Sequence, residues 1–173
     1  MEKQTVLVVD DTPDNIEVLT GVLKQDYRVK AARDGATALK LACSSSPPDI
    51  ILLDIMMPEI DGYEVCRQLK SNPITAKIPV MFVTAKSEVV DEKKGFELGA
   101  VDYITKPISP PIVLSRVKTQ LNISNQAKHL ESLVRERTIE LEQTRLEIIR
   151  RLGRAAEYKD NETGMHVIRM SWF

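Results

Sequence analysis

The sequence predicts an α/β fold: a doubly wound, five-stranded parallel sheet followed by one long helix. Three observations carry this. Short apolar runs alternate with amphipathic stretches five times, each unit taking ~20–25 residues, the rhythm of right-handed strand–helix–strand crossovers. The run Ile50-Ile51-Leu52-Leu53 is apolar without alternation, as in a strand buried on both faces. After Pro111 there is no further proline and the next glycine is Gly153, room for one helix of about 50 residues.

Residues 5–9 make a β-branched strand that runs into two carboxylates, Asp10 and Asp11. Thr12 then caps a helix with Pro13 at its first position, and Ile16, Leu19, Val22 and Leu23 give it one apolar face. Tyr27, Val29 and Ala31 alternate with Arg28 and Lys30, which predicts an edge strand with one wet face. Asp34-Gly35 opens a second helix that turns Ala38, Leu39 and Ala42 inward. Beyond the breaker cluster 44–48, the apolar strand ends at Asp54 and enters the turn Met56-Met57-Pro58-Glu59-Ile60-Asp61-Gly62. Asp61 caps the third helix with Glu64 at the capping-box position, and Asn72-Pro73 ends it. Residues 79–83 form a fourth strand that ends at Thr84-Ala85. Ser87 caps a fourth helix that closes at Gly99. Residues 101–104 are the fifth strand, followed by Thr105-Lys106-Pro107.

In the last helix Val134, Leu141, Ile148 and Ala155 recur every seven residues, with Ala127 and Leu130 before them. Arg137, Thr144 and Arg151 occupy the positions where a strict heptad wants Leu. Glu131 with Arg135 and Glu147 with Arg151 are favourable pairs four apart. Eight Lys/Arg face seven Asp/Glu between Ser124 and Asp160, a balanced surface and not a DNA-binding arm. Such a helix either packs on its own domain or pairs with a second copy. Pairing is the preferred expectation, because a domain of roughly 120 residues cannot cover so long a stripe.

Composition bounds the function. At 173 residues with 43% apolar and 5% aromatic content, the core is built mainly of Val, Ile, Leu and Ala. A net charge of -1 argues against a nucleic-acid binder. Cys43 and Cys66 show no metal or disulfide spacing, the usage of a reducing compartment. No run reaches the ~18 apolar residues of a spanning helix and no signal peptide is visible. A cytoplasmic protein without membrane partners is expected.

Asp10, Asp11 and Asp54 all fall at carboxyl ends of strands, where open α/β sheets place ligands. Taken alone, a strand-end Asp such as Asp54 also serves as a turn cap. Three converging carboxylates repel unless a cation or proton intervenes. An all-oxygen set suits Mg²⁺. Thr84 and Lys106 add a hydroxyl and an ammonium, so a phosphoryl group would be met on every charged face. A carboxylate can itself be the acceptor.

Val8-Val9-Asp10-Asp11, Leu52-Leu53-Asp54-Ile55-Met56-Met57-Pro58, Val83-Thr84-Ala85 and Asp102-Tyr103-Ile104-Thr105-Lys106-Pro107 together resemble the signature set of response-regulator receiver domains, over about residues 4–122. The resemblance implies a flavodoxin-like sheet of order 2-1-3-4-5. It implies that Asp54 accepts phosphate from a sensor histidine kinase or phosphotransfer protein. Asp10, Asp11, Asp54 and the Met56 carbonyl would hold Mg²⁺. Lys106 would pair with the phosphate across a cis Lys106–Pro107 bond, and Thr84 would move toward it. Tyr103 would follow as a switch; taken alone it is a half-buried strand aromatic. Met56 and Lys86 would set the phosphoryl lifetime. A phosphoryl group brings charge near -2, enough to bias the face made by the fourth helix, fifth strand and last helix. A homodimer through that face, the long helix, or both is expected.

Residues 155–170 resemble the opening of an HD-GYP domain, the cyclic-di-GMP phosphodiesterase family. Glu162 and His166 match two of its metal ligands; without that context, such a pair is a surface contact. The chain stops at Phe173 without an HD dyad or Gly-Tyr-Pro motif, so the di- or tri-metal cluster of an intact output domain is incomplete and no phosphodiesterase activity is expected. The expected organisation is a receiver over 1–122, a helical coiled-coil linker over 123–154, and the start of an output domain over 155–173, cut from a longer protein. A complete adaptor that docks a partner through the long helix is the alternative. A DNA-binding regulator would need a helix-turn-helix, and none is visible.

Overall fold

The structure, a computed structural model, describes residues 3–85, 93 and 95–170, with the backbone alone for residues 155–170. Strands β1 (Thr5–Val9), β2 (Arg28–Ala32), β3 (Ile50–Asp54), β4 (Val80–Thr84) and β5 (Asp102–Thr105) form one parallel sheet of order β2-β1-β3-β4-β5. The three central strands β1, β3 and β4 are buried along their whole length. That burial is why their sequences are unbroken apolar runs. Helices α1 (Pro13–Leu23), α2 (Gly35–Ala42) and α3 (Gly62–Ser71) precede the C-terminal helix Pro110–Met170.

The two-residue period of each strand divides the core into two layers. Leu7, Val9, Ile51, Leu53 and Phe82 face Ala38 of α2 and Val65 and Leu69 of α3. Val6, Val8, Ile50, Leu52, Met81 and Val83 face Leu19 and Leu23 of α1 and Val113, Val117 and Leu121 of the C-terminal helix. Each fully buried aliphatic side chain contributes about 1.5–3 kcal/mol. The stripe of Val113, Val117 and Leu121 at spacing four packs the first turns of the C-terminal helix on the sheet.

Several local expectations change. On the edge strand β2, Ala31 is exposed and Ala32 enters the core; the alternation breaks at the strand end, where the chain turns toward α2. Thr12 stands at the N-cap of α1, but its side chain makes no cap hydrogen bond; its hydroxyl donates to the Asp11 carboxylate (3.2 Å). Asp61 does cap α3, accepting from the Glu64 amide at 2.7 Å. The Glu64 carboxylate instead accepts from Arg67 and Gln68, so the capping box is not reciprocal. β4 and β5 each begin one residue later than expected. The C-terminal helix runs past Gly153 to Met170; a single interior glycine costs only about 1 kcal/mol. Ser87, the expected cap of a fourth helix, lies outside the described residues. Among those, Gly95, Phe96 and Glu97 are helical.

Contacts divide the chain into two units, Met1–Asn125 and Gln126–Phe173. Among the described residues no helix is long and apolar enough to cross a membrane.

In the β3–α3 turn, Glu59 has φ 65°, left-handed geometry that disfavours a side chain. Its side chain is exposed, so glycine would relieve the strain without loss of packing. Glu59→Gly is expected to raise stability by up to about 1 kcal/mol. A thermal melt that is unchanged or lower would show that the turn is not strained.

Candidate functional site

β1 ends at Val9, which leaves Asp10 buried at the carboxyl edge of the sheet and Asp11 exposed beside it. Asp54 is the last residue of β3, and only 4% of it is exposed. The strands run in register, Val9 beside Leu53 and Asp54 beside Val83, so these ends lie together. Lys106, one residue past β5, reaches across the edge. Its ammonium donates to Asp10 Oδ2 and to Asp54 Oδ2, each at 2.9 Å. The Lys106 amide donates to the Thr84 carbonyl at 2.7 Å, and the Lys106–Pro107 peptide is cis.

Asp10 Oδ1 accepts from the Thr12 amide and from Asn15 Nδ2, both at 2.9 Å. Asp54 Oδ1 takes the Met56 amide at 3.4 Å. Burial pushes the Asp54 carboxyl above the usual carboxylate range; Lys106 opposes the shift and Asp10 adds to it. Burial alone would lower the Lys106 ammonium, but Asp54 and Asp10 outweigh it and hold it above the ordinary lysine value. Three carboxylates against one ammonium leave a local formal charge of about -2.

Asp10, Asp11 and Asp54 each offer an oxygen, and these atoms lie within 4.8 Å of one another. Oxygen donors alone, partly exposed through Asp11, suit a hard divalent cation such as Mg²⁺. The residues therefore fit the ion that the sequence implies. Thr84 closes β4 and is buried; Met56 is 75% exposed. Tyr103 on β5 is turned inward, its ring 5.6 Å from that of Phe82 and 5.0 Å, edge-on, from that of Phe96. Beside it, a cavity of about 240 Å³ is bordered by Phe96, Asp102, Pro107, Ile112 and Arg116, with Arg116 paired to Asp102. Lys86 lies outside the described residues, as do the side chains of Glu162 and His166, whose backbone is helical.

Three residues that the sequence did not single out shape the site. Asn15, one helical turn into α1, reaches back to orient Asp10; its place four residues after Asp11 was the available signal. A Cβ at Gly62 would stand 2.2 Å from the Asp54 carbonyl oxygen and 2.8 Å from Ile55 Cα. Only glycine lets α3 start against the end of β3. At Gly95 a Cβ would overlap the Tyr103 hydroxyl and crowd Phe82, so the inward Tyr103 ring needs that glycine.

Comparison with known proteins fits this geometry. The family model described as the response regulator receiver domain matches residues 6–118. The chain is 48% identical over 172 residues to a protein of Vibrio cholerae named a probable cyclic di-GMP phosphodiesterase, covering 95% of this chain and 39% of that one. It is 46% identical over 115 residues to the response regulator PleD of Caulobacter vibrioides, covering 66% of this chain and 25% of PleD. Among solved structures, the response regulator DrrB of Thermotoga maritima superposes with a TM-score of 0.63 at 35% identity, over 70% of this chain and 54% of that one. The chain thus spans well under half the length of these two curated relatives.

Because the Asp54 carboxyl titrates above its ordinary 3.8, the native chain holds the extra proton between the two values. Stability is therefore lost as pH rises through that window. Without divalent cation, Asp54→Asn is expected to melt a few degrees above the parent at pH 7, at about 2–4 °C per kcal/mol. The gain should vanish near pH ~3, where Asp54 is protonated folded or unfolded. An equal or lower melting temperature at pH 7 would mean that the Lys106 pair outweighs burial. Gly62→Ala must displace the β3 backbone and is expected to cost about 1–3 kcal/mol, read as a lower denaturation midpoint; an unchanged midpoint would show that the junction yields freely.

Proposed function

The chain belongs to the response regulator receiver family, and on that premise we propose that Asp54 is its phosphoacceptor, served by a sensor histidine kinase or phosphotransfer protein in the cytoplasm. The observation that carries this reading is the Lys106 ammonium bridging Asp54 and Asp10 at the carboxyl edge of the sheet.

An Asp54 carboxylate oxygen attacks the phosphorus of a phosphohistidine. The P–N bond breaks, the imidazole nitrogen leaves with its electron pair, and an acyl phosphate forms on Asp54. Asp10, Asp11, Asp54 and the Met56 carbonyl would hold Mg²⁺, which supplies positive charge against the phosphoryl oxygens. Lys106 neutralises a second face of the group. Its anchoring through the Thr84 carbonyl ties it to the end of β4. Asn15 keeps Asp10 in place. The Thr84 hydroxyl follows the phosphoryl oxygens and Tyr103 follows Thr84, so the face that carries the Asp102–Arg116 pair and its cavity changes with the state of Asp54. Met56, exposed beside Asp54, and Lys86 govern access of water and thereby the lifetime of the acyl phosphate.

The proposed output is control of a cyclic-di-GMP phosphodiesterase through a paired helix. Its support is the similarity to the Vibrio cholerae protein, which covers 95% of this chain and so runs beyond the receiver region 6–118. The corresponding organisation is a receiver over 1–122, a dimerising helical linker over 123–154, and the start of an output domain from 155, with Glu162 and His166 among the ligands of its di- or tri-metal cluster.

The decisive experiment is intact-mass analysis after incubation with acetyl phosphate and Mg²⁺. One phosphoryl group should be added, removed by hydroxylamine, and absent from Asp54→Asn. Lys106→Ala should lower labelling at least tenfold, the scale of removing one charged contact. Equal labelling of Asp54→Asn would overturn the assignment.

A further inference from the structure

The residues 126–154 are all exposed in the single chain, including Leu130 (61%), Val134 (65%), Leu141 (70%) and Ile148 (53%). These lie on the heptad seam, whose alternate positions are Ala127, Val134, Leu141, Ile148 and Leu130, Arg137, Thr144, Arg151. The polar members are drawn aside by groups of their own helix. Arg137 pairs with Glu140 at 2.6 Å, Arg151 pairs with Glu147, and the Thr144 hydroxyl donates to the Glu140 carbonyl at 2.9 Å. Both glutamates immediately precede an apolar seam residue, Leu141 or Ile148, so they flank the seam.

We propose that this segment pairs in parallel and in register with a second copy, and that Glu140 of each copy meets Arg145 of the other. The proposal deepens the paired-helix reading given above but does not rest on phosphorylation. In a parallel pair, a residue preceding one apolar seam position lies beside the residue five places on in the other helix, where flanking charges set partner and orientation. Glu140 and Arg145 have that spacing and opposite charge. Within one helix, residues five apart do not face each other. An antiparallel pair would set Glu140 near the equivalent flank of its mate and lose this contact. Three polar layers keep the association weak and salt-sensitive, so small changes can rearrange it.

Sedimentation equilibrium on the whole 173-residue chain at low salt tests this. Glu140→Lys and Arg145→Glu should each weaken self-association about tenfold, since two symmetry-related attractions become repulsions. The double variant should return to within about threefold of the parent, and an equimolar mixture of the two single variants should associate more tightly than either alone. These substitutions are on the exposed helix, and unchanged helical circular dichroism would confirm folding. A double variant no tighter than the singles, or a mixture that gains nothing, overturns the parallel pairing. A parent that stays monomeric at every concentration overturns pairing altogether, while phosphoryl labelling of Asp54 is read independently by mass.

Discussion

A single ammonium holds the carboxyl edge of this sheet together. Lys106 stands 2.9 Å from a carboxylate oxygen of both Asp10 and Asp54, two groups otherwise turned toward one another in a largely dry place. Two like charges about 4 Å apart repel by about 4 kcal/mol at an effective dielectric near 20. The lysine offsets much of that repulsion but not the whole charge, because Asp11 adds a third carboxylate. The edge is consequently left ready for further positive charge and for a group that carries it. Burial of Asp54 sharpens this, since its carboxyl already resists ionisation.

The backbone transmits this arrangement sideways. The Lys106 amide bonds to Thr84 at the end of β4, and the neighbouring strand carries Tyr103 against Phe82 and Phe96. Gly95 makes room for the Tyr103 hydroxyl, so the inward ring is a consequence of one missing Cβ. The charged edge and the cavity bordered by Phe96, Ile112 and Arg116 therefore share the same two strands.

The C-terminal helix does two jobs in succession. Val113, Val117 and Leu121 bury one side of its beginning in the core. Between Gln126 and Arg154 its large apolar residues are exposed, with Arg137 and Arg151 interspersed among them. A strict leucine seam would lock a pair into one arrangement; layers containing Arg137 and Arg151 lower the stability of any pairing while limiting its possible registers.

Much was legible in the sequence for reasons of period and charge. Unbroken apolar runs marked the buried strands, and strand-end carboxylates at Asp10 and Asp54 marked the edge where the structure gathers Asp10, Asp11 and Asp54. What the sequence could not settle depended on approach in three dimensions. That Asn15 bonds Asp10, that Gly62 touches the Asp54 carbonyl, and that Gly95 faces Tyr103 follow from how helices pack on the sheet. Ala32, not Ala31, enters the core because the strand end turns toward α2. Thr12 donates its hydroxyl to Asp11 and its side chain makes no cap hydrogen bond to α1, an orientation that spacing along the chain does not reveal. Local spacing fixes which face a residue is on; only tertiary packing decides what that face meets.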